Sequence, residues 1–185
     1  GTLAQMLLRS HADRGESAHR IQVASLASLA SEVVEYHEAA LQEAGLQVKV
    51  QGDAQAQVDA RLLRRALSNL LGNATRYATP GSCISVQISR PQSGQVTLAV
   101  CNLGPGIAAE HLPRLFDRFY RSDTSRSQGD RNHGLGLAIV AAIARMHGGQ
   151  AFARSDTVLT TVGLSLPAEP QPPQPQTVAT FGNAA

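Results

Sequence analysis

The sequence predicts an α/β (α+β) two-layer sandwich, a mixed sheet of about five strands with three long helices on one face. Three observations carry this expectation. Apolar residues recur at the helical period around Leu29, Leu67 and Ile139. Apolar and polar residues alternate in the intervening stretches, as in Val48-Lys49-Val50 and Ile84-Ser85-Val86. Turn-forming residues separate the two kinds of segment, at Gly45, Gly52-Asp53, Pro80-Gly81, Pro91 to Gly94 and Gly148-Gly149.

Taken in order, Leu3, Met6 and Leu7 share one helical face and Gly15 stops it, which reads as the last turns of a helix from a preceding module. Ser25 is placed to cap a helix whose stripe is Leu26, Leu29, Val33 and Ala40-Leu41, ending at Gly45. Leu46, Val48 and Val50 then form a half-buried strand. Asp59 caps the next helix, where Leu62, Leu63, Ala66, Leu67, Leu70 and Leu71 keep the helical period until Pro80-Gly81. Ile84, Val86 and Ile88 face Val96, Leu98 and Val100 across the Pro91 to Gly94 turn, as an antiparallel hairpin. From Asn102 to His133 the chain is rich in glycine, arginine and polar residues, with one short helical patch over Glu110 to Phe119. A connection of that length points to function. Leu135, Ile139, Ile143 and Met146 stripe the third long helix, and strands over Gln150 to Ser155 and Val158 to Leu166 finish the sheet. Beyond Pro167 the Pro and Gln tract cannot supply a core and favours extended conformations.

Composition narrows the function. Hydrophobic residues are 43% and charged residues 16% of 185, so the body folds rather than staying a solvated chain. A net charge of +2, with no basic run interleaved by aromatics, excludes nucleic acid as the expected partner. Cys83 and Cys101 are too few for a disulfide framework or a zinc site, consistent with a reducing compartment. The longest apolar run, Leu135 to Ala144, is about half a membrane span and stops at Arg145, so a membrane would be reached only through segments upstream. The opening Gly1-Thr2-Leu3 has neither an initiator methionine nor a signal peptide, and the chain is expected to be a piece of something longer.

Four segments carry chemistry. On the second long helix, Asn69-Leu70-Leu71-Gly72-Asn73-Ala74-Thr75-Arg76-Tyr77 puts the amides of Asn69 and Asn73 on one face, with Arg76 a turn further on. Oxygen donors suit magnesium, which keeps several waters and shares substrate phosphates. Two solvated polar residues on an amphipathic helix are the plain alternative. Directly after the hairpin comes Asn102-Leu103-Gly104-Pro105-Gly106-Ile107. There Asn102 offers an amide to a base edge, and Gly104 and Gly106 let the backbone approach a flat ligand, or merely end a strand. In Leu115-Phe116-Asp117-Arg118-Phe119-Tyr120-Arg121 the rings can anchor a mobile segment while Arg118 and Arg121 reach phosphates; a small satellite core is the alternative. In Gly134-Leu135-Gly136-Leu137 the exposed amides of a helix start can bind phosphate, although two glycines alone would be only a cap.

In this order the four segments resemble the N box, first glycine box, F box and second glycine box of sensor histidine kinases, over roughly Val23 to Pro167. The stretch Leu112-Pro113-Arg114-Leu115-Phe116-Asp117-Arg118-Phe119-Tyr120-Arg121 resembles most the heavy-metal-sensing subgroup. The resemblance implies a Bergerat fold of the gyrase and histidine kinase superfamily, with ATP between the N-box helix and a mobile lid. By matching position it implies that Asn73 ligates Mg2+, that Asn69 and Arg76 help hold phosphates, that Tyr77 lies near the nucleoside, and that Asn102 faces the adenine amino group. Gly104, Gly106, Ile107, Arg118, Tyr120, Arg121, Gly134, Leu135, Gly136 and Leu137 complete the expected nucleotide site, and Thr160 is an expected neighbour of the base.

Three positions depart from the family pattern: Asn102 replaces an aspartate, Asn132 a glycine, and Leu159 the glycine before Thr160. None of His11, His19, His37, His111, His133 and His147 has the sequence context of a phospho-acceptor, so the acceptor is expected upstream. The expected organisation is then residues 1–15 as the end of a dimerisation and phosphoacceptor helix, 20–167 as the ATP-binding catalytic domain and 168–185 as the Pro/Gln-rich tail. The implied partners are that dimerisation domain of the same parent and a response regulator. The implied location is the cytoplasmic side of an inner-membrane sensor. Two other readings stand beside this one. Gyrase- and MutL-type ATPases place a glutamate as general base where this chain has Asn69, which cannot take a proton. A non-catalytic nucleotide-sensing module would also accommodate Asn102.

Overall fold

The computed structural model describes residues 18–117, 120 and 136–170. Their elements are β1 (Ile21–Val23), α1 (Leu26–Tyr36), α2 (Glu38–Glu43), β2 (Gln47–Gln51), β3 (Ala56–Val58) and α3 (Ala60–Tyr77). They continue with β4 (Cys83–Ser89), β5 (Gln95–Leu103), a 3-10 turn at Leu112–Arg114, α4 (Gly136–Met146), β6 (Gln150–Ser155) and β7 (Leu159–Pro167). Five strands form one sheet in the order β2-β4-β5-β7-β6. The β2–β4 pair is parallel and the other three pairs are antiparallel, which makes the sheet mixed, as expected.

Strand alternation decides which face is covered. Val86 and Ile88 of β4 lie in register with Val100 and Leu98 of β5 and, through it, with Val162 and Leu164 of β7. All are buried in one core with Leu63, Leu67 and Leu70 of α3 and Ile139 and Ile143 of α4. Burying such side chains against a second layer is the main favourable term for a domain of this kind. The α3 helix starts where expected: the Asp59 carboxylate accepts from the Leu62 backbone N–H at 3.1 Å.

Several expectations change. The helix running from Leu26 to Leu41 is broken at His37, whose backbone leaves the helical region (φ −92°, ψ 2°), giving α1 and the short α2. The side chain of His37 lies 2.6 Å from the Ser68 hydroxyl of α3, a tertiary contact that helical periodicity cannot reveal. The helical patch expected over Glu110 to Phe119 reduces, among the described residues, to the 3-10 turn at Leu112–Arg114, with proline inside it. A second sheet, β1 antiparallel to β3, was not foreseen, because three-residue strands carry too little alternation to read. Ser25 caps α1 by accepting from Ser28 N at 3.1 Å. Asp53 adds to this cap, accepting from the Ala27 amide at 3.0 Å and the Ser25 hydroxyl at 2.8 Å. These bonds, that of Ala27 first, hold the Asp53 carboxyl below the usual carboxylate range. The end of a helix expected before Gly15 and the tail from residue 171 lie outside the described residues.

Candidate nucleotide-binding site

Two junctions build the site. In the first, the Asn69 amide nitrogen on α3 donates to the carbonyl of Gly136, the first residue of α4, at 3.2 Å. This places the expected phosphate-binding helix start against the asparagine face of α3. Asn73, one turn beyond Asn69, is half-buried, and its amide has no hydrogen-bond partner among the described residues. Its oxygen is therefore an available hard donor. No group of three or more His, Cys, Asp or Glu that could hold a metal ion lies among the described residues. A single protein oxygen fits Mg2+ held mainly by phosphates and water, and does not fit an all-protein metal cage. Arg76 lies on the last turn of α3, its guanidinium 6.0 Å from the centre of the Tyr77 ring.

The second junction joins the ends of β5 and β7. Asn102 does not follow β5 as expected but lies inside it, paired across the ladder with Thr160. Continued pairing with β7 carries the strand past the point where the glycines were expected to end it. Asn102 is 3% exposed and Thr160 5%. The Asn102 amide nitrogen donates to the Leu103 carbonyl at 3.3 Å, which leaves its oxygen as the free end. The Thr160 hydroxyl lies 2.8 Å from that of Ser155, and the Ser155 hydroxyl accepts from the Ile107 N–H at 2.8 Å. Ile107 therefore spends its amide within the protein. Ser155 escaped sequence reasoning; a lone serine at a strand end carries no signal.

The first glycine box has a packing reason of its own. A Cβ at Gly104 would sit 2.3 Å from the Tyr77 carbonyl oxygen, and one at Gly106 would sit 2.1 Å from that of Asp156. Both glycines admit the chain's own backbone, closing the end of α3 and the β6–β7 turn onto the loop. That turn is itself fixed by the Asp156 carboxylate, which accepts from the amides of Val158 and Leu159 at 2.8 Å each; these bonds keep its carboxyl below the usual range.

Tyr120 is placed by two contacts. Its hydroxyl hydrogen-bonds His111 Nδ1, and its ring centre lies 4.6 Å from the Arg114 guanidinium carbon. Leu137 is half-buried on the first turn of α4. Arg118, Arg121, Asn132, Gly134 and Leu135, and with them most of the expected lid, lie outside the described residues.

A mixed five-stranded sheet backed by helices, with a donor-lined junction between α3 and α4, defines the chain as a domain of the Bergerat type. Residues 58–170 match the family described as "Histidine kinase-, DNA gyrase B-, and HSP90-like ATPase". The chain belongs to that family. It is 40% identical to the sensor histidine kinase CusS of Escherichia coli over 167 residues, 90% of this chain and 35% of the relative. The sensor protein IrlS of Burkholderia pseudomallei is 37% identical over 167 residues, again 90% of this chain and 36% of the relative. This chain thus spans about a third of the length of these relatives. Among solved structures, full-length ShkA in complex with AMPPNP matches with a TM-score of 0.76 at 23% identity, over 88% of this chain and 34% of that one, a likeness of fold.

Proposed function

We propose that this chain is the catalytic domain of a two-component sensor histidine kinase, which transfers the γ-phosphate of Mg-ATP to a histidine on a dimerisation domain of the same parent. The phosphoryl group would then pass to a response regulator. One observation carries the choice of transfer over hydrolysis. Asn69 stands where the hydrolytic members of the superfamily are expected to keep a general base, and its amide nitrogen is already spent on Gly136. An amide cannot take a proton from water, and this one serves to hold α4.

The remaining roles are those that the family pattern implies, supported by the geometry of the described residues. Asn73 would offer its free oxygen to Mg2+, which when bound neutralises charge on the phosphates. The N-terminal end of α4, with the amides of Gly134, Leu135, Gly136 and Leu137, would meet phosphate oxygens, helped by the helix dipole. Arg76 would add a cation beside Tyr77, and Arg118 and Arg121 would reach in from the lid. The free oxygen of Asn102 would accept from the adenine amino group beside Thr160. In this reading residues 1–15 end the dimerisation helix, 20–167 form the catalytic domain and 168–185 a tail. The parent would be an inner-membrane sensor of the heavy-metal subgroup with this domain in the cytoplasm. The sensor-kinase relatives support the parent's class; no helix among the described residues is long and apolar enough to cross a membrane. Calorimetry tests the nucleotide step: ATP should bind with Mg2+ present and much less with the metal chelated. Binding that ignores the metal would remove Asn73 from its proposed role.

A further inference from the structure

The most deeply buried ionisable side chain among the described residues lies at the opposite end of α4 from the second glycine box and plays no part in the proposed chemistry. His147, just past the C-terminal end of α4, is 0% exposed. Its Nδ1–H donates to the Ile143 carbonyl at 2.8 Å, and its Nε2 accepts from the Asp59 backbone N–H at 3.0 Å. Both ring nitrogens are thereby assigned, and the ring is neutral. The same few residues hold the stretch that leads into the domain. The Ala18 N–H donates to the Met146 carbonyl at 3.3 Å, the His19 N–H to the Asp59 carboxylate at 3.0 Å, and the Arg20 guanidinium to the His147 carbonyl. The next residues, Ile21–Val23, pair with Ala56–Val58, which run straight into Asp59.

The geometry points to a proton-operated latch: neutral His147 holds the Asp59 corner to which residues 18–23 are fastened, and protonated His147 loosens that corner and releases them. A proton on Nε2 would face an N–H donor, two like dipoles in a buried site, and that arrangement cannot persist. Among the described residues, the Asp59 carboxylate is the nearby acceptor of opposite charge. Turning it toward His147 would withdraw it from His19 N–H and from Leu62 N–H, which it now caps. Either response opens the latch. The charged groups acting on His147 are Arg20, from the entering stretch, and Asp59, at the N-cap of α3. Arg145 on the same helix and His19 beside Asp59 are exposed. Arg20 adds its own tension, since its Nη1 is buried with no partner among the described residues.

Burial, as the largest cause, holds the His147 imidazole below its ordinary value, with the Arg20 charge lowering it further and the Ile143 carbonyl and Asp59 charge opposing the shift without reversing it. In the opened state the ring regains its ordinary value of about 6.5. The fastened state is therefore at full strength above pH of about 6.5 and weakens as pH falls below it, until pH passes the lower value of the closed state. The consequence is that acid would uncouple the domain from whatever precedes residue 18, whether or not nucleotide is bound.

Amide hydrogen exchange on this chain without nucleotide tests the latch independently of the kinase reading. After correction for intrinsic rates, opening at the His19 and Asp59 amides should rise by up to about tenfold between pH 7.5 and 5.5. Amides of α1, near His37, report any separate effect of that histidine. In His147→Asn, which cannot protonate, opening should be flat across the same range, whatever its level. Arg20→Gln supplies a second reading: it should raise opening at pH 7.5 and reduce its pH response, because the closed-state ring then titrates nearer its ordinary value. Exchange at His19 and Asp59 that is unchanged from pH 7.5 to 5.5 in the wild type, or a pH response that survives in His147→Asn, would overturn the proposal.

Discussion

Gly104→Ala separates two reasons for a glycine-rich loop beside a nucleotide: approach to the ligand and approach to the protein's own backbone. The added Cβ would lie 2.3 Å from the Tyr77 carbonyl oxygen and 3.3 Å from its carbon. Ordinary contact is roughly 1 Å longer, so the loop and the end of α3 must part by about that much. Two hydrogen bonds flank the point: Thr79 N–H to the Leu103 carbonyl at 2.8 Å and Gly104 N–H to the Val158 carbonyl at 2.9 Å. Overpacking costs about 1–3 kcal/mol and one lost hydrogen bond about 1 kcal/mol, so the variant should lose about 2–4 kcal/mol. The assay is urea unfolding without nucleotide, where the loss appears as a lower midpoint at unchanged slope. Gly136 is the contrast, because a Cβ there meets nothing within 4 Å among the described residues. Gly136→Ala should keep its urea midpoint and lose nucleotide affinity if phosphates approach the start of α4. A Gly104→Ala protein as stable as wild type would refute the close approach and return the glycine to a ligand-facing role.

Other outcomes follow from the same geometry. Asn73→Ala should abolish most of the Mg2+ dependence of ATP binding in calorimetry while leaving the unfolding midpoint nearly unchanged, since the side chain bonds nothing among the described residues; a retained metal dependence would contradict the assignment. Asn102→Asp should raise selectivity for ATP over GTP by about 1 kcal/mol, through a charge-assisted bond to the adenine amino group, read by competition binding. Unchanged selectivity would mean that residue 102 does not meet the base. Gly72→Ala, in the middle of α3 with open space around it, should stabilise the fold by about 1 kcal/mol in urea unfolding, and a loss would mean that the helix face is more crowded there.

Much of the fold was legible because its long elements obey one period each. The apolar stripe of α3, from Leu62 to Leu71, and the alternation of Ile84, Val86 and Ile88 could hardly be read otherwise. Asp59 and Ser25 announced their helices because a side-chain acceptor before an apolar stripe has one physical use there. What escaped depends on partners distant in sequence. The break at His37 accompanies a contact with Ser68, and β1 exists because Ile21 finds Val58. In the site, Asn69, Asn73 and Arg76 could be set on one helix from spacing alone, but the fastening of Asn69 to Gly136 needs two helices to meet. The glycines of the first box also carry a packing role that the sequence does not show, since only tertiary structure reveals that Gly104 makes room for Tyr77 and Gly106 for Asp156. His147 looked like one more scattered histidine; its burial under Asp59 and Arg20 is a product of tertiary structure.

The central claim is that this domain hands a phosphoryl group to a histidine it does not itself carry. The direct measurement incubates the chain with γ-labelled ATP and Mg2+, with and without a separately prepared dimerisation domain from the same parent. Acid-labile, base-stable label should appear on the dimerisation domain and not on this chain, and Asn73→Ala should prevent it. Label on this chain alone, or release of inorganic phosphate with none on the added domain, would contradict the account.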